Sequence, residues 1–445
     1  MDIATLIPQF GGVLWTAAAF VVALSVIVFV HEFGHYIVGR WSGIHAEVFS
    51  IGMGPALVSR TDRHGTRWQV AALPFGGYVR FLGDASGASD KATDAYEALD
   101  EETRRHTLHG APLWARAATL VAGPLFNFIL SILLFAAVVL WQGVAKEPVE
   151  VGDLRALPTG EASLQPGDRI LAVNGAGTPD LATFYEVIRD LPVAPSVDYR
   201  IDRGGRTETV AGRYPFPPLV EGLQPGSAAM DAGIEIGDLV TAIDGQPVMA
   251  FGELQDVVSN SGGRPLRLDI WRDGQVIETE LAARRVDVPD ADGGFETRWL
   301  IGMTGGLMFT PVTESPGLFE ALRIGVDQTV FIAKSSLSGL WHMITGAISS
   351  CNLRGPLGIA ETSGAAASQG LGNFVWFIAV LSTAVGLLNL FPIPVLDGGH
   401  LVFYAYEAVA GHPPSDGAMR VLMSVGLALL LTLMVFALGN DLFCP

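Results

Sequence analysis

The residues best suited to chemistry in this 445-residue chain are His31, Glu32 and His35, in the run His-Glu-Phe-Gly-His. On a helix, positions four apart share a face, so His31 and His35 can grip one metal ion while Glu32, one residue round, reaches a water beside it. The pentapeptide alone arises by chance in many chains. Here it ends a charge-free stretch, and an ionisable side chain at membrane depth costs about 2.5–3.5 kcal/mol on the insertion scale, so such residues are functional by default. A catalytic zinc takes three protein ligands and keeps one open position. The residues after His35 lack the third histidine of the extended zinc-protease pattern, so that ligand must come from elsewhere in the chain. The run from Asn389 to His400, NLFPIPVLDGGH, offers Asp397 as the leading candidate, with His400 and Glu47 as alternatives.

Elements able to position these groups follow from the charge pattern. Residues 11–30, 117–141, 374–391 and 421–438 carry no charged side chain, and each stretch is long enough to cross most of a ~30 Å hydrocarbon layer. We read four transmembrane helices, the first retained rather than cleaved, because residues 1–10 hold Asp2 and no Lys or Arg. Residues 326–349 are apolar but interrupted by Asp327, Lys334 and His342, which suits an amphipathic helix on the membrane surface. Loop 39–116 holds nine Lys and Arg, whereas 1–10 and 439–445 hold none, so that loop is expected in the cytoplasm and both termini outside. Helices one and three then run the same way, and His31, His35 and Asp397 meet near the cytoplasmic side.

Composition agrees. Charged residues make up 16% of the chain, against about 25% in soluble domains. The net charge of −18 argues against nucleic acid as a partner. It is concentrated in residues 142–320, with 28 acidic and 14 basic side chains, while loop 39–116 balances at nine each. Cys351 and Cys444 both fall in outside segments, away from the histidines, and whether they pair is left open.

Within the outside segment two passages read alike: LQPGDRILAVNG from Leu164 and IEIGDLVTAIDG from Ile234. Each has Gly-Asp, an apolar strand and an Asn/Asp-Gly turn, as expected of one small α+β domain duplicated. The second copy, with QPGSAAMDAGI before its Gly-Asp, resembles bacterial PDZ domains, and the first is a shorter match. That resemblance implies peptide capture by strand addition beside a carboxylate-binding loop near Ile301 and Gly302. Plain turn chemistry is the simpler account of the same residues.

Taken together, HExxH in the first helix, NLFPIPVLDGGH in the third, the tandem PDZ-like copies and SIGMGP (Ser50 to Pro55) resemble the site-2 protease family. The resemblance covers nearly the whole chain, including the terminal LGNDLF, and departs in the short first PDZ-like copy. It implies a Zn²⁺ enzyme that cuts within membrane helices, with His31, His35 and Asp397 as ligands and Glu32 as base. It also implies substrate handling by Asn389, by Asn352, Gly355 and Pro356, and by a membrane-associated β-hairpin over residues 67–81 whose turn region is Leu73, Pro74, Phe75, Gly76, Gly77 and Tyr78. Apolar alternation around Pro74 and Gly76-Gly77 independently suggests a strand edge able to pair with substrate.

The expected architecture is therefore an α-helical multi-pass membrane protein with a membrane-associated hairpin and two inserted PDZ-like α+β domains. Its parts are 1–40 and 41–116, the second transmembrane helix 117–141, PDZ-like copies at 142–215 and 216–310, a membrane-surface segment 311–373, and the last helices in 374–400 and 401–445. By resemblance its partners are the lipid bilayer and single-span substrates, a trimmed anti-sigma factor and signal-peptide remnants. Its setting is the bacterial inner membrane, with the PDZ-like copies in the periplasm. Competing functions are a catalytically idle scaffold, which an intact HExxH disfavours, and a zinc hydrolase of lipids or small molecules, which gives the PDZ-like copies no purpose.

Overall fold

The computed structural model describes residues 3–84, 99–158, 163–289 and 294–444. Its longer helices, in chain order, are α1 (Ile3–Trp41), α2 (Leu113–Gln142), α3 (Leu181–Arg189), α4 (Phe251–Ser259), α5 (Leu318–Ile344), α6 (Pro356–Ser368), α7 (Leu371–Asn389), α8 (Asp397–Ala410) and α9 (Asp416–Phe443). The chain divides into two units, one of residues 1–138, 318–340 and 350–444, the other of 139–317 with 341–349.

In the helical unit, α1, α2, α7 and α9 are the helices long and apolar enough to cross a membrane among the described residues. They contain the four charge-free stretches of the sequence. Helix α5 is not one of them: it carries Glu320, Arg323, Asp327 and Lys334 and leaves Phe319, Phe331 and Trp341 exposed.

Apolar surface gives no reason for helices to associate in lipid, so close approach and polar glue must do it. Both are present. A Cβ on Gly34 would meet the Ala122 carbonyl at 2.5 Å, which brings α1 and α2 backbone to backbone. Ser131 Oγ on α2 donates to the Ala379 carbonyl on α7 at 2.8 Å, and Ser382 Oγ on α7 donates to the Asn127 carbonyl at 2.9 Å. At the other end of the unit, the Asp441 carboxylate of α9 accepts from the N–H groups of Gly355, Leu357 and Gly358, satisfying the orphan donors at the start of α6. Beside it Cys351 and Cys444 form a disulfide, which answers the question the sequence left open.

Between α1 and α2 lie strands β1 (Ala46–Thr61) and β2 (Arg67–Phe81), paired in one sheet. The arrangement differs from a simple hairpin over 67–81. Ser50 faces both Gln69 and Tyr78, and Ile51 faces both Val70 and Gly77, while residues 56–61 pair with 67–71. Each long strand is thus folded over, and four segments lie in the order 56–61, 67–71, 48–51 and 77–81, with 77–81 at one edge. Glycines at φ +84° (Gly52), +89° (Gly54) and +75° (Gly76) allow the reversal.

In the strand-rich unit the repeat folds twice the same way. Strands 176–177, 169–173, 197–203 and 206–212 lie in that order, as do 246–247, 239–243, 265–272 and 275–282, each with one nine-residue helix, α3 or α4. The Gly-Asp pairs are architectural. Asp168 is 1% exposed and held by Arg203 at 2.8 and 2.7 Å, and Asp238 is 1% exposed and held by Arg272 at 2.6 Å on both oxygens.

The division of this unit at 142–215 and 216–310 needs correction. Strand 309–311 pairs with 151–154, and 313–314 with 144–145, so the chain returns to complete the first copy after finishing the second. Leu307, Met308 and Phe309 are buried with Val149, Ile170 and Phe184 in the first copy's core. The physical reason is that strand 151–154 has main-chain groups to satisfy, and its partner lies over 150 residues away.

Candidate metal centre

Helix α1 turns His31 and His35 toward α2 and α8. His31 Nε2 lies 3.2 Å from Asp397 Oδ2, His35 Nε2 lies 3.5 Å from the same oxygen, and the two Nε2 atoms are 3.2 Å apart. Both imidazoles are buried, at 9% and 7% exposure. Among the described residues this is the group of His, Cys, Asp and Glu side chains able to share a metal ion. The alternatives the sequence left open do not join it. Glu47 accepts from Arg80 at 3.1 Å across the sheet, and His400 packs against Phe403.

Asp397 comes to this place through the local fold of its own loop. It is the first residue of α8, and the chain before it, Leu390 to Leu396, doubles back over the helix start. A Cβ on Gly398 would meet the Leu390 carbonyl at 2.3 Å, and one on Gly399 the Ile393 carbonyl at 2.3 Å, which is why Asp397 is followed by two glycines. Val395 sits at φ +101°, a strained conformation for a β-branched residue, two positions before Asp397. Arg116 of α2 reaches Glu407 of α8 with two hydrogen bonds, 3.0 and 2.6 Å, and so ties the Asp397 helix to the helix behind the histidines.

Helix α2 supplies the back wall from one face: Thr119, Gly123, Asn127 and Ser131, four apart along the helix and all buried. The Thr119 carbonyl lies 2.8 Å from His35 Nδ1. A carbonyl can only accept, so Nδ1 carries the proton and Nε2 presents its lone pair toward Asp397. Gly123 leaves room for both rings, since a Cβ there would stand 2.3 Å from His35 Nε2 and 2.8 Å from His31 Cε1. Asn127 Nδ2 lies 3.1 Å from His31 Nδ1.

Does this place fit a metal? Asp397 Oδ2 is buried without a hydrogen-bond partner although two imidazole nitrogens stand beside it. Two nitrogens and a carboxylate oxygen, gathered by one helix turn and a distant loop, form a donor set suited to zinc. The residues fit the ion that their types suggested.

Other candidates fall where their elements put them. A Cβ on Gly77 would be 3.3 Å from Glu32 Cγ and 2.9 Å from Val28 Cγ1, so the 77–81 edge runs along α1 beside Glu32. Leu73 and Pro74 are exposed at the turn, Tyr78 Oη accepts from Gln69 Nε2 at 3.2 Å, and of Phe75 the side chain lies outside the described residues. Asn389 ends α7. Gly355 and Pro356 begin α6 under the Asp441 carboxylate, and Asn352 closes the short helix Ser350–Asn352. Ile301 and Gly302 line a small cavity of about 50 Å³ with Phe251, Leu254 and Val258 of α4.

Thr119, Gly123 and Asn127 were not anticipated. A search for charges passes over them, yet Asn127 is the one carboxamide within residues 117–141, and an amide in an apolar span must find a partner.

The family model for peptidase family M50 matches residues 19–433. A zinc metalloprotease, by its name, of Agrobacterium fabrum is 36% identical over 427 residues, covering 95% of this chain and 94% of that protein. The regulator of sigma-E protease RseP of Salmonella typhimurium is 33% identical over 459 residues, covering 96% of this chain and 98% of its own length.

Proposed function

The chain belongs to peptidase family M50 and is a zinc metalloprotease of the site-2 type, and we propose that it cuts single-span membrane proteins within their membrane helices. The observation that carries this reading is the meeting of His31 and His35, on a helix apolar enough to cross a membrane, with Asp397 at the start of α8. A metalloprotease acting on soluble peptides has no use for ligands at that depth.

We assign His31, His35 and Asp397 as the residues that would hold the ion. When bound, zinc supplies Lewis acidity for the scissile carbonyl and for the attacking water. The chain's own residues do the rest. Helical substrate hides its carbonyls in intrahelical hydrogen bonds, so it must be drawn out before it is cut. The 77–81 edge beside Glu32 suits that task, because an extended segment can add to it as a further strand, and Asn389 offers a side-chain amide nearby in sequence to Asp397. Glu32 then takes the water proton as the oxygen–carbon bond forms, and returns it to the amide nitrogen as the carbon–nitrogen bond breaks.

The substrate class we favour is a trimmed anti-sigma factor, with signal-peptide remnants as a second; the name of the Salmonella relative supports the first. The PDZ-like copies are assigned to the periplasm, the site to the cytoplasmic side of the inner membrane. Two observations support this orientation. Basic residues concentrate in loop 39–116, and the Cys351–Cys444 disulfide suits an oxidising compartment. The groove beside Ile301 and Gly302 is lined by Phe251, Leu254 and Val258, and would admit an apolar peptide end.

Co-expression with a truncated single-span substrate tests the proposal. A fragment cut within the membrane helix, absent with Glu32→Gln, is expected. A fragment that persists with Glu32→Gln, or none with the wild type, overturns it.

A further inference from the structure

We infer that Asn127 is the positioning residue for His31: its carboxamide oxygen accepts a hydrogen bond from Nδ1–H and thereby holds His31 in the tautomer whose Nε2 is free to bind metal. The inference rests on the metal-site reading above. It starts from an asymmetry between the two histidines. His35 Nδ1 faces a carbonyl, which dictates its tautomer, whereas His31 Nδ1 faces a carboxamide, which can either donate or accept.

In the observed orientation Nδ2 stands 3.1 Å from His31 Nδ1, and Oδ1 is buried with no partner. An N–H donated to Nδ1 leaves the ring proton on Nε2, which points at Asp397 Oδ2, 3.2 Å away. That tautomer cannot ligate. A half-turn of the carboxamide exchanges Oδ1 and Nδ2 and moves no other atom. It gives up no bond at Oδ1, which has none, and replaces N–H···Nδ1 by Nδ1–H···Oδ1. Nε2 then carries a lone pair, as on His35. Asn127 is 0% exposed, and its backbone carbonyl is fixed by Ser131 and Ser382, so the side chain is held at this distance whichever way the amide faces. Partners that orient a ligating histidine are worth about 10–100-fold in metal affinity.

Two substitutions separate accepting from donating. Asn127→Asp can accept from Nδ1–H but cannot donate to it; Asn127→Leu can do neither. Zinc affinity is measured on the purified full chain by competition with a chelator. Asn127→Leu is expected to bind zinc about 10–100-fold more weakly than wild type, and Asn127→Asp within a few-fold of wild type. Wild-type affinity in Asn127→Leu overturns the inference, as does equal loss in both variants. If Asn127→Leu does not fold, the Asp variant decides alone, retention of zinc supporting the inference and loss overturning it. Wild-type chain that takes up no zinc fails the metal-site reading itself, which keeps the two failures apart.

Discussion

The buried polar groups of the two units differ in how they are satisfied. In the strand-rich unit the repeated aspartates Asp168 and Asp238 are almost wholly enclosed, and each is clasped on both oxygens by one arginine. In the helical unit His31, His35 and Asn127 are buried and the Asp397 side chain is 15% exposed, yet Asp397 Oδ2 and Asn127 Oδ1 have no partner. Buried polar atoms are normally paired, and an exception calls for an explanation. The clasped groups hold a fold in shape, and the same clasp recurs because the same fold recurs. The incomplete cluster is the one we propose for a metal ion. Unpaired buried atoms such as Asp269 Oδ1 also occur in the strand-rich unit, so the distinction rests on the cluster rather than on any single atom.

That contrast can be broken at several points. The largest effect is expected from Glu32→Gln, which should lower cleavage roughly 10²–10⁴-fold while leaving zinc content unchanged, as read from fragment yield and elemental analysis. Next is Gly123→Ala. Its Cβ would overlap the His35 ring, so zinc affinity should fall about 10–100-fold or more, while a strand-rich unit that unfolds as in wild type would show the damage to be local. Asp168→Ala should do the reverse. Breaking the clasp should lower the thermal midpoint of the strand-rich unit, with zinc content unaffected, because Asp168 is enclosed and its partner Arg203 is left without it. Loss of zinc in Asp168→Ala would erase the distinction between the two regions. The smallest effect is expected at Val395, where glycine relieves the positive φ and should raise thermal stability by about 1 kcal/mol or less.

Local features are legible in the sequence. Four charge-free stretches became α1, α2, α7 and α9, because the bilayer imposes a length and a composition that a linear scan detects. His31 and His35 met because a helix brings residues four apart together, and Asp397 lies beside them. Features that depend on distant partners left no such trace. Strand 309–311 completes the first copy of the duplicated fold although the repeat ends before it, and nothing in the repeat marks that return. The folded-over sheet of β1 and β2 has each residue from Val48 to Ile51 facing two partners, which alternation along one strand cannot reveal. Thr119 acts through its carbonyl and Gly123 through a missing side chain, so neither carries a residue-type signal. Asn127 did carry one, as a lone amide among apolar neighbours.

The central claim is that His31, His35 and Asp397 together hold one catalytic zinc. Elemental analysis of the purified wild type, Glu32→Gln and Asp397→Asn tests it most directly. Wild type and Glu32→Gln should each contain about one zinc per chain, the ion a site of this kind requires, and Asp397→Asn should be depleted. Zinc in Asp397→Asn equal to that in wild type would contradict the account.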